Sequence, residues 1–224
     1  MSERIKPRRE RIKPFLGPGG VKSQLAAFVD REGTINVDKG HVYRPVDFEY
    51  IPRALEALRL ASDHGVLIFI VTNQAGIAKG LYMESDFRAL TEKMLEQMRS
   101  HGIHIQDVFY CPHHPEGTVQ KYRTTCACRK PAPGLLQIAM ERYGLPGANS
   151  VMIGDKNSDV EAGRALGLRT YLVETGYGVT QKATTRADFV VSDLWDATVH
   201  FLMSRMVLEQ PEEASANARP EGSA

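Results

Sequence analysis

The chain lacks any run of about 18 consecutive apolar residues, the length a helix needs to span a bilayer. No membrane partner is expected. It also lacks a dominant charge: 28 Lys and Arg stand against 27 Asp and Glu, a net charge of +1. No single-sign field therefore favours nucleic acid, and none is expected as a partner. The basic stretch Met1 to Pro14 has no apolar centre, so it does not read as a secretory signal. The expected compartment is the cytoplasm. Cysteine is scarce, with only Cys111, Cys126 and Cys128. A disulfide scaffold is excluded, since one bridge leaves an odd thiol and Cys126-x-Cys128 is too tight for an ordinary bridge.

What remains is an ordinary globular composition, 42% hydrophobic and 25% charged over 224 residues. That length suits one core-forming domain with tails. Residues 1–22 are charged and punctuated by Pro and Gly, and read as a flexible basic tail. Residues 209–224 have little apolar material and read as disordered. Residues 23–208 read as one domain. Within it, apolar runs alternate with helical patterns. Leu25–Val29, Leu67–Val71, Val108–Tyr110, Val151–Ile153, Thr170–Val173 and Phe189–Val191 are predicted strands. Glu84–Ser100, Gly134–Tyr143 and Leu194–Leu208 are predicted helices. Apolar strands separated by helices predict an α/β fold, a Rossmann-like doubly wound parallel sheet with both faces covered.

Polar signatures follow three of these strands. Asp30 and Glu32 follow the first, Thr72 and Asn73 the second, and Asp155 and Asp159 the fourth. Arg129-Lys130-Pro131 precedes a helix. Strand ends of one sense share one edge of a parallel sheet, so these segments converge. The set suits phosphoryl transfer. Asp30 and Asp155 supply hard oxygens for Mg²⁺. Thr72, Asn73 and Lys130 supply donors to phosphoryl oxygens. Asp30 can attack phosphorus, and Glu32 can act as general acid/base. Asp159 is expected to orient Asp155 or Lys130 rather than bind metal directly.

A second cluster is Cys111-Pro112-His113, then twelve residues, then Cys126-Ala127-Cys128. Three thiolates and an imidazole form a closed, four-coordinate Zn²⁺ site. Adjacent His114 is expected to be a non-ligand. Zinc here would pin the loop that leads into Arg129 and Lys130.

The ordered motifs Asp-x-Glu, Thr, Lys and Gly-Asp-x-x-x-Asp resemble the haloacid dehalogenase superfamily over about residues 25–195. The resemblance implies an aspartyl-phosphate on Asp30 and a backbone carbonyl from residue 32 on Mg²⁺. The superfamily usually has Asp where this chain has Glu32. Together with the zinc loop, the stretches Asn36-Val37-Asp38-Lys39-Gly40-His41, Thr72-Asn73-Gln74-Ala75-Gly76 and Gly154-Asp155-Lys156 are similar to the D-glycero-D-manno-heptose 1,7-bisphosphate 7-phosphatase family. That likeness implies no large cap domain and a phosphorylated sugar substrate. It implies a pocket lined by Asp38, Lys39, Gly40, His41, Thr72, Asn73, Gln74 and Ala75. Arg129, Lys130 and Lys156 then face the phosphates. A monomer is expected. Two alternatives stay open: a histidinol-phosphate or other small phosphatase, and a non-catalytic phosphosugar-binding homologue motivated by Glu32.

Overall fold

The computed structural model describes residues 4–5 and 24–208; the remainder of both predicted tails lies outside the described residues. Six strands run parallel: β2 (Ala26–Val29), β3 (Leu67–Asn73), β4 (Ile105–Cys111), β5 (Ser150–Gly154), β6 (Arg169–Val173) and β7 (Phe189–Val191). A two-residue strand, β1 (Arg4–Ile5), pairs antiparallel with β4 at the edge. It falls inside the segment the sequence marks as a tail. The order is β1-β4-β3-β2-β5-β6-β7. Successive strands depart from β2 in opposite directions, β3 to one side and β5 to the other. The crevice at that reversal is where open α/β sheets bind ligands.

Side-chain alternation sorts the core into two layers. Ala27, Val29, Ile68, Ile70, Val108, Tyr110, Val151 and Ile153 point to one face. Helices α1 (Ala54–Asp63), α3 (Glu84–Ser100) and α7 (Leu194–Leu208) cover it. Ala26, Phe28, Phe69, Val71, Phe109 and Met152 point to the other, under α4 (Gly134–Tyr143) and α5 (Asn157–Arg164). On α1 the buried residues are Ala54, Ala57, Leu58 and Ala61, one stripe at helical spacing. Phe28 and Phe69 stack across β2 and β3 with centroids 5.2 Å apart and no exposure. Each contributes about 1.5–3 kcal/mol by burial.

Several strands run further than the apolar pattern predicts, β3 and β4 among them. β3 continues through Thr72 and Asn73, which pair with Tyr110 and Cys111 of β4. Ladder hydrogen bonds hold these polar residues in extended form, so Thr72 and Asn73 are strand residues, more rigidly placed than loop residues. The short helices α2 (Ala75–Ala78) and α6 (Gly178–Gln181) follow β3 and β6. Among the described residues, no helix is long and apolar enough to cross a membrane.

Candidate active site

Asp30 stands directly beyond β2, its N–H bonded to the Ile153 carbonyl of β5 at 2.9 Å. The chain then closes a tight turn in which Ile35 and Asn36 donate to the Arg31 carbonyl. Gly33 occupies the left-handed region, φ 86°. A Cβ there would fall on the Asp155 carboxylate, and the same holds at Gly176. The two glycines thus let the backbone close around Asp155, which is fully buried.

Lys130 Nζ sits 2.7 Å from Asp30 Oδ1, 2.7 Å from the Val71 carbonyl and 2.5 Å from Asp159 Oδ1. Burial works against the Lys130 charge, but the Asp159 and Asp30 carboxylates outweigh it, so its pKa is raised. Asp159 Oδ2 accepts the Lys156 N–H at 3.1 Å. Asp159 therefore reaches both Lys130 and the start of α5.

Asp155 is different. Its Oδ2 accepts the Tyr177 N–H at 2.9 Å, while its buried Oδ1 has no hydrogen-bond partner among the described residues. Burial, then the Asp30 charge, push its carboxyl up to about 8. Asp30, Asp155 and Asp159 each offer an oxygen within 4.8 Å of the others. An orphaned buried carboxylate oxygen facing a second carboxylate fits a hard divalent cation. Asp30 and Asp155 are the residues that would hold Mg²⁺.

Glu32 turns its Oε1 to the Arg31 guanidinium and, at 3.5 Å, to Gln74 Nε2. Gln74 Nε2 also donates to Thr72 Oγ1 at 2.9 Å. Arg31, 1% exposed, donates to the Val42 carbonyl and lies over the Phe87 ring. Lys156 Nζ lies 3.3 Å from Asp38 Oδ2, 3.7 Å from Asp155 Oδ1 and over the Tyr177 ring. Burial opposes its charge, but Asp30, Asp155 and Asp38 together raise its pKa.

The other sequence candidates divide. Asp38 Oδ1 accepts the Gly40 N–H, shaping the turn that leads to half-buried His41. Lys39 points away, to Glu49 at 2.7 Å. Ala75 is buried at the start of α2. Arg129 reaches back to the His113 carbonyl at 3.4 Å. Asn73, expected as a donor to phosphoryl oxygens, is placed against the Lys130 backbone. Its amide brackets the Lys130 backbone, donating to the carbonyl at 2.9 Å and accepting the N–H at 3.1 Å. It fixes the segment that delivers Lys130. Sequence reasoning missed Arg31, Tyr82 and Tyr177 as parts of this site. An Arg set between two acids in a buried turn was the one available signal.

Cys111 ends β4, and His113, Cys126 and Cys128 close around it. Sγ–Sγ separations are 3.2–3.5 Å, and His113 Nδ1 lies 3.4 Å from Cys128 and 3.7 Å from Cys111. These are the edges of a small tetrahedron. The Cys111 hydrogen bond, with Cys126 and His113 assisting against burial, brings Cys128 down to about 5. The same hydrogen bond, then burial, drives Cys111 up. Three thiols this close ionise together only around a cation, so the donor set fits a metal. His114 stays outside, its Nδ1 accepting the Glu116 N–H.

Fold and site together define a hydrolase of the HAD-like class. A family model described as HAD-hydrolase-like matches residues 127–197. The D-glycero-beta-D-manno-heptose-1,7-bisphosphate 7-phosphatase of Escherichia coli strain K12 is 42% identical over 176 residues, 78% of this chain and 92% of that protein. The D-glycero-alpha-D-manno-heptose-1,7-bisphosphate 7-phosphatase of Photorhabdus laumondii subsp. laumondii is 40% identical over 156 residues, 69% of this chain and 85% of that protein. The crystal structure of D,D-heptose 1,7-bisphosphate phosphatase from B. bronchiseptica, complexed with magnesium and phosphate, superposes with TM-score 0.74 and 28% identity. It covers 81% of this chain and 99% of that one. The chain belongs to the D-glycero-D-manno-heptose 1,7-bisphosphate 7-phosphatase family.

Proposed function

We propose that residues 23–208 form a Mg²⁺-dependent phosphomonoesterase that removes the 7-phosphate of D-glycero-D-manno-heptose 1,7-bisphosphate. The observation that carries this reading is Asp30 at the sheet's reversal point, 2.7 Å from the Lys130 ammonium and beside the orphaned oxygen of Asp155.

An Asp30 oxygen attacks phosphorus. The ester P–O bond breaks, and the Glu32 carboxyl gives its proton to the departing sugar oxygen. Water then attacks phosphorus of the aspartyl-phosphate, Glu32 takes its proton, the bond from phosphorus to the Asp30 oxygen breaks, and inorganic phosphate leaves with the Asp30 carboxylate restored. Lys130 Nζ and Thr72 Oγ1 hold phosphoryl oxygens whose charge grows in both transition states. Mg²⁺, when bound by Asp30, Asp155 and the residue 32 carbonyl, neutralises phosphoryl charge. Lys156 and Arg129 supply positive charge for the second phosphate. Zn²⁺ on Cys111, His113, Cys126 and Cys128 holds the loop that feeds Lys130 into the pocket. We read the enzyme as a cytoplasmic monomer. Free thiols gathered around one imidazole suit a reducing compartment, and one chain supplies every group of the reaction.

Phosphate release from both anomers of the heptose 1,7-bisphosphate, histidinol phosphate and other phosphomonoesters, with and without Mg²⁺, tests this. The heptose bisphosphates should be preferred, with the 1-phosphate left in place. A preference for histidinol phosphate overturns the substrate. No turnover of any ester, or full turnover in Asp30→Asn, overturns the reaction.

A further inference from the structure

Tyr82 takes no part in the reaction just described, yet it is built tightly into the site. It is buried, and its ring stacks on Tyr43 with centroids 4.9 Å apart and planes 12° from parallel. A Cβ at position 76 would strike the Tyr82 ring, so Gly76 is what admits it. The Tyr82 hydroxyl donates to Gln74 Oε1 at 2.6 Å. From the other end of that amide, Nε2 donates to Thr72 Oγ1 at 2.9 Å and to Glu32 Oε1 at 3.5 Å. Burial, then the Glu32 charge, push the Tyr82 hydroxyl up, so it stays a donor.

A primary amide has one accepting end and one donating end, and a carboxylate only accepts. The Tyr82 donor at one end and the Glu32 acceptor at the other therefore select one sense of the Gln74 amide. We propose that Tyr82 is a positioning residue, which holds Gln74 Oε1 and so keeps the Gln74 N–H groups on Thr72 and Glu32. This rests on the phosphatase reading above. It has two consequences. Thr72 Oγ1 accepts from Gln74, so its own proton points elsewhere, toward a phosphoryl oxygen. Glu32 Oε1 is engaged by Arg31 and Gln74, so the transferred proton resides on Oε2. Without the Tyr82 hydroxyl the amide can turn over. Thr72 then donates to Gln74 Oε1 instead of to phosphate, and the amide oxygen faces the Glu32 carboxylate.

The test uses the full chain with Mg²⁺ and the heptose 1,7-bisphosphate, in Tyr82→Phe, Gln74→Ala and the double variant. Tyr82→Phe should lower kcat by about 10-fold, the scale of one buried hydrogen bond, with KM little changed. It should add nothing in the Gln74→Ala background, because it acts through that amide. Nuclear Overhauser contacts from the ¹⁵N-labelled Gln74 side-chain amide protons to Thr72 should be present in the parent and lost in Tyr82→Phe. Parent-like kcat in Tyr82→Phe, additive losses in the double variant, or amide contacts to Thr72 that survive Tyr82→Phe would each overturn the proposal. A parent chain with no phosphatase activity defeats the functional reading instead, and the amide contacts then decide the positioning alone.

Discussion

Lys130→Met separates what the buried lysine does for the fold from what it does for the reaction. Its side chain is 2% exposed and its ammonium lies between Asp30 and Asp159, whose side chains are 7% and 1% exposed. Methionine keeps the length and apolar stem but removes the charge. Breaking a buried ion pair by removing one partner costs about 3–5 kcal/mol, because the other charge is left uncompensated. For a domain of this size each kcal/mol moves the thermal midpoint by about 2–4 °C, so a loss of about 6–20 °C is expected. Losing a donor to the transferring phosphoryl should also cut kcat by about 100- to 1,000-fold. Adding Asp159→Asn removes the stranded carboxylate. That double variant should regain much of the thermal midpoint and none of the activity. Calorimetry and steady-state kinetics on the single and double variants decide it. A midpoint within about 2 °C of the parent in Lys130→Met contradicts the buried pair as described. Activity that returns together with stability makes Lys130 a structural residue only.

Protein purified without added metal should carry zinc by elemental analysis, and Cys126→Ser with Cys128→Ser should lose both zinc and turnover, because Cys128 lies two residues before Lys130. Retention of full zinc in that variant refutes the site. Burial, then the Asp30 charge, push the Asp155 carboxyl from the ordinary 3.8 up to about 8, so the metal-free folded state favours holding the extra proton. Its contribution to stability is therefore present below the lower value and lost as pH rises toward the higher one. Mg²⁺ must displace that proton, so Mg²⁺ affinity and the rise in thermal midpoint on adding Mg²⁺ should both grow from about pH 6 to about pH 8; a flat or falling trend refutes it. Glu32→Gln should lower kcat by about 100- to 10,000-fold, the range for a general acid/base, while Glu32→Asp keeps activity; equal kcat in Glu32→Gln and the parent excludes Glu32 from proton transfer.

The sheet and its carboxylate edge were legible because both are written in short sequence windows. Apolar runs such as Leu67–Val71 carry their own strand signal, and parallel strands force their tips together. The metal-ligand spacing around Cys111 and Cys126 was legible for the same reason. What escaped were contacts that only the closed fold creates. The Asn73 amide meets the Lys130 backbone 57 positions away and clamps the segment that carries the lysine. Lys39, which the likeness implied for the pocket lining, meets the Glu49 carboxylate beside a left-handed backbone at Gly40 and His41, a contact no local pattern announces. The Tyr82–Gln74 pair depends on the turn of α2, and nothing in the local pattern distinguishes that tyrosine from a packing aromatic.

Glu32 shows why the choice of substitution matters. Against aspartate, the extra methylene extends the carboxyl by about 1.5 Å, one C–C bond. A displacement of about 1 Å at a reacting group can cost about 100-fold in rate. In this chain two donors engage the same oxygen: Arg31, and Gln74 at 3.5 Å. Both hold Oε1 and leave Oε2 to carry the proton, so the longer side chain is anchored rather than loose. The anchor is itself buried. Arg31 Nε and Nη1 have no hydrogen-bond partner among the described residues, and the guanidinium is balanced by Glu32, the Val42 carbonyl and the Phe87 face. Glu32→Ala therefore removes two things at once, the proton carrier and the counter-charge of a buried guanidinium, and a loss of activity with it cannot be assigned to proton transfer. Glu32→Gln also removes the counter-charge, but it keeps an oxygen for Arg31 and the full reach, so it strains the buried guanidinium less while taking away the ionisable proton. Its thermal midpoint should lie between those of the parent and Glu32→Ala, while its kcat should fall as far as that of Glu32→Ala. If kcat instead follows the thermal midpoint across the three proteins, Glu32 serves the fold through Arg31, and another group carries the proton.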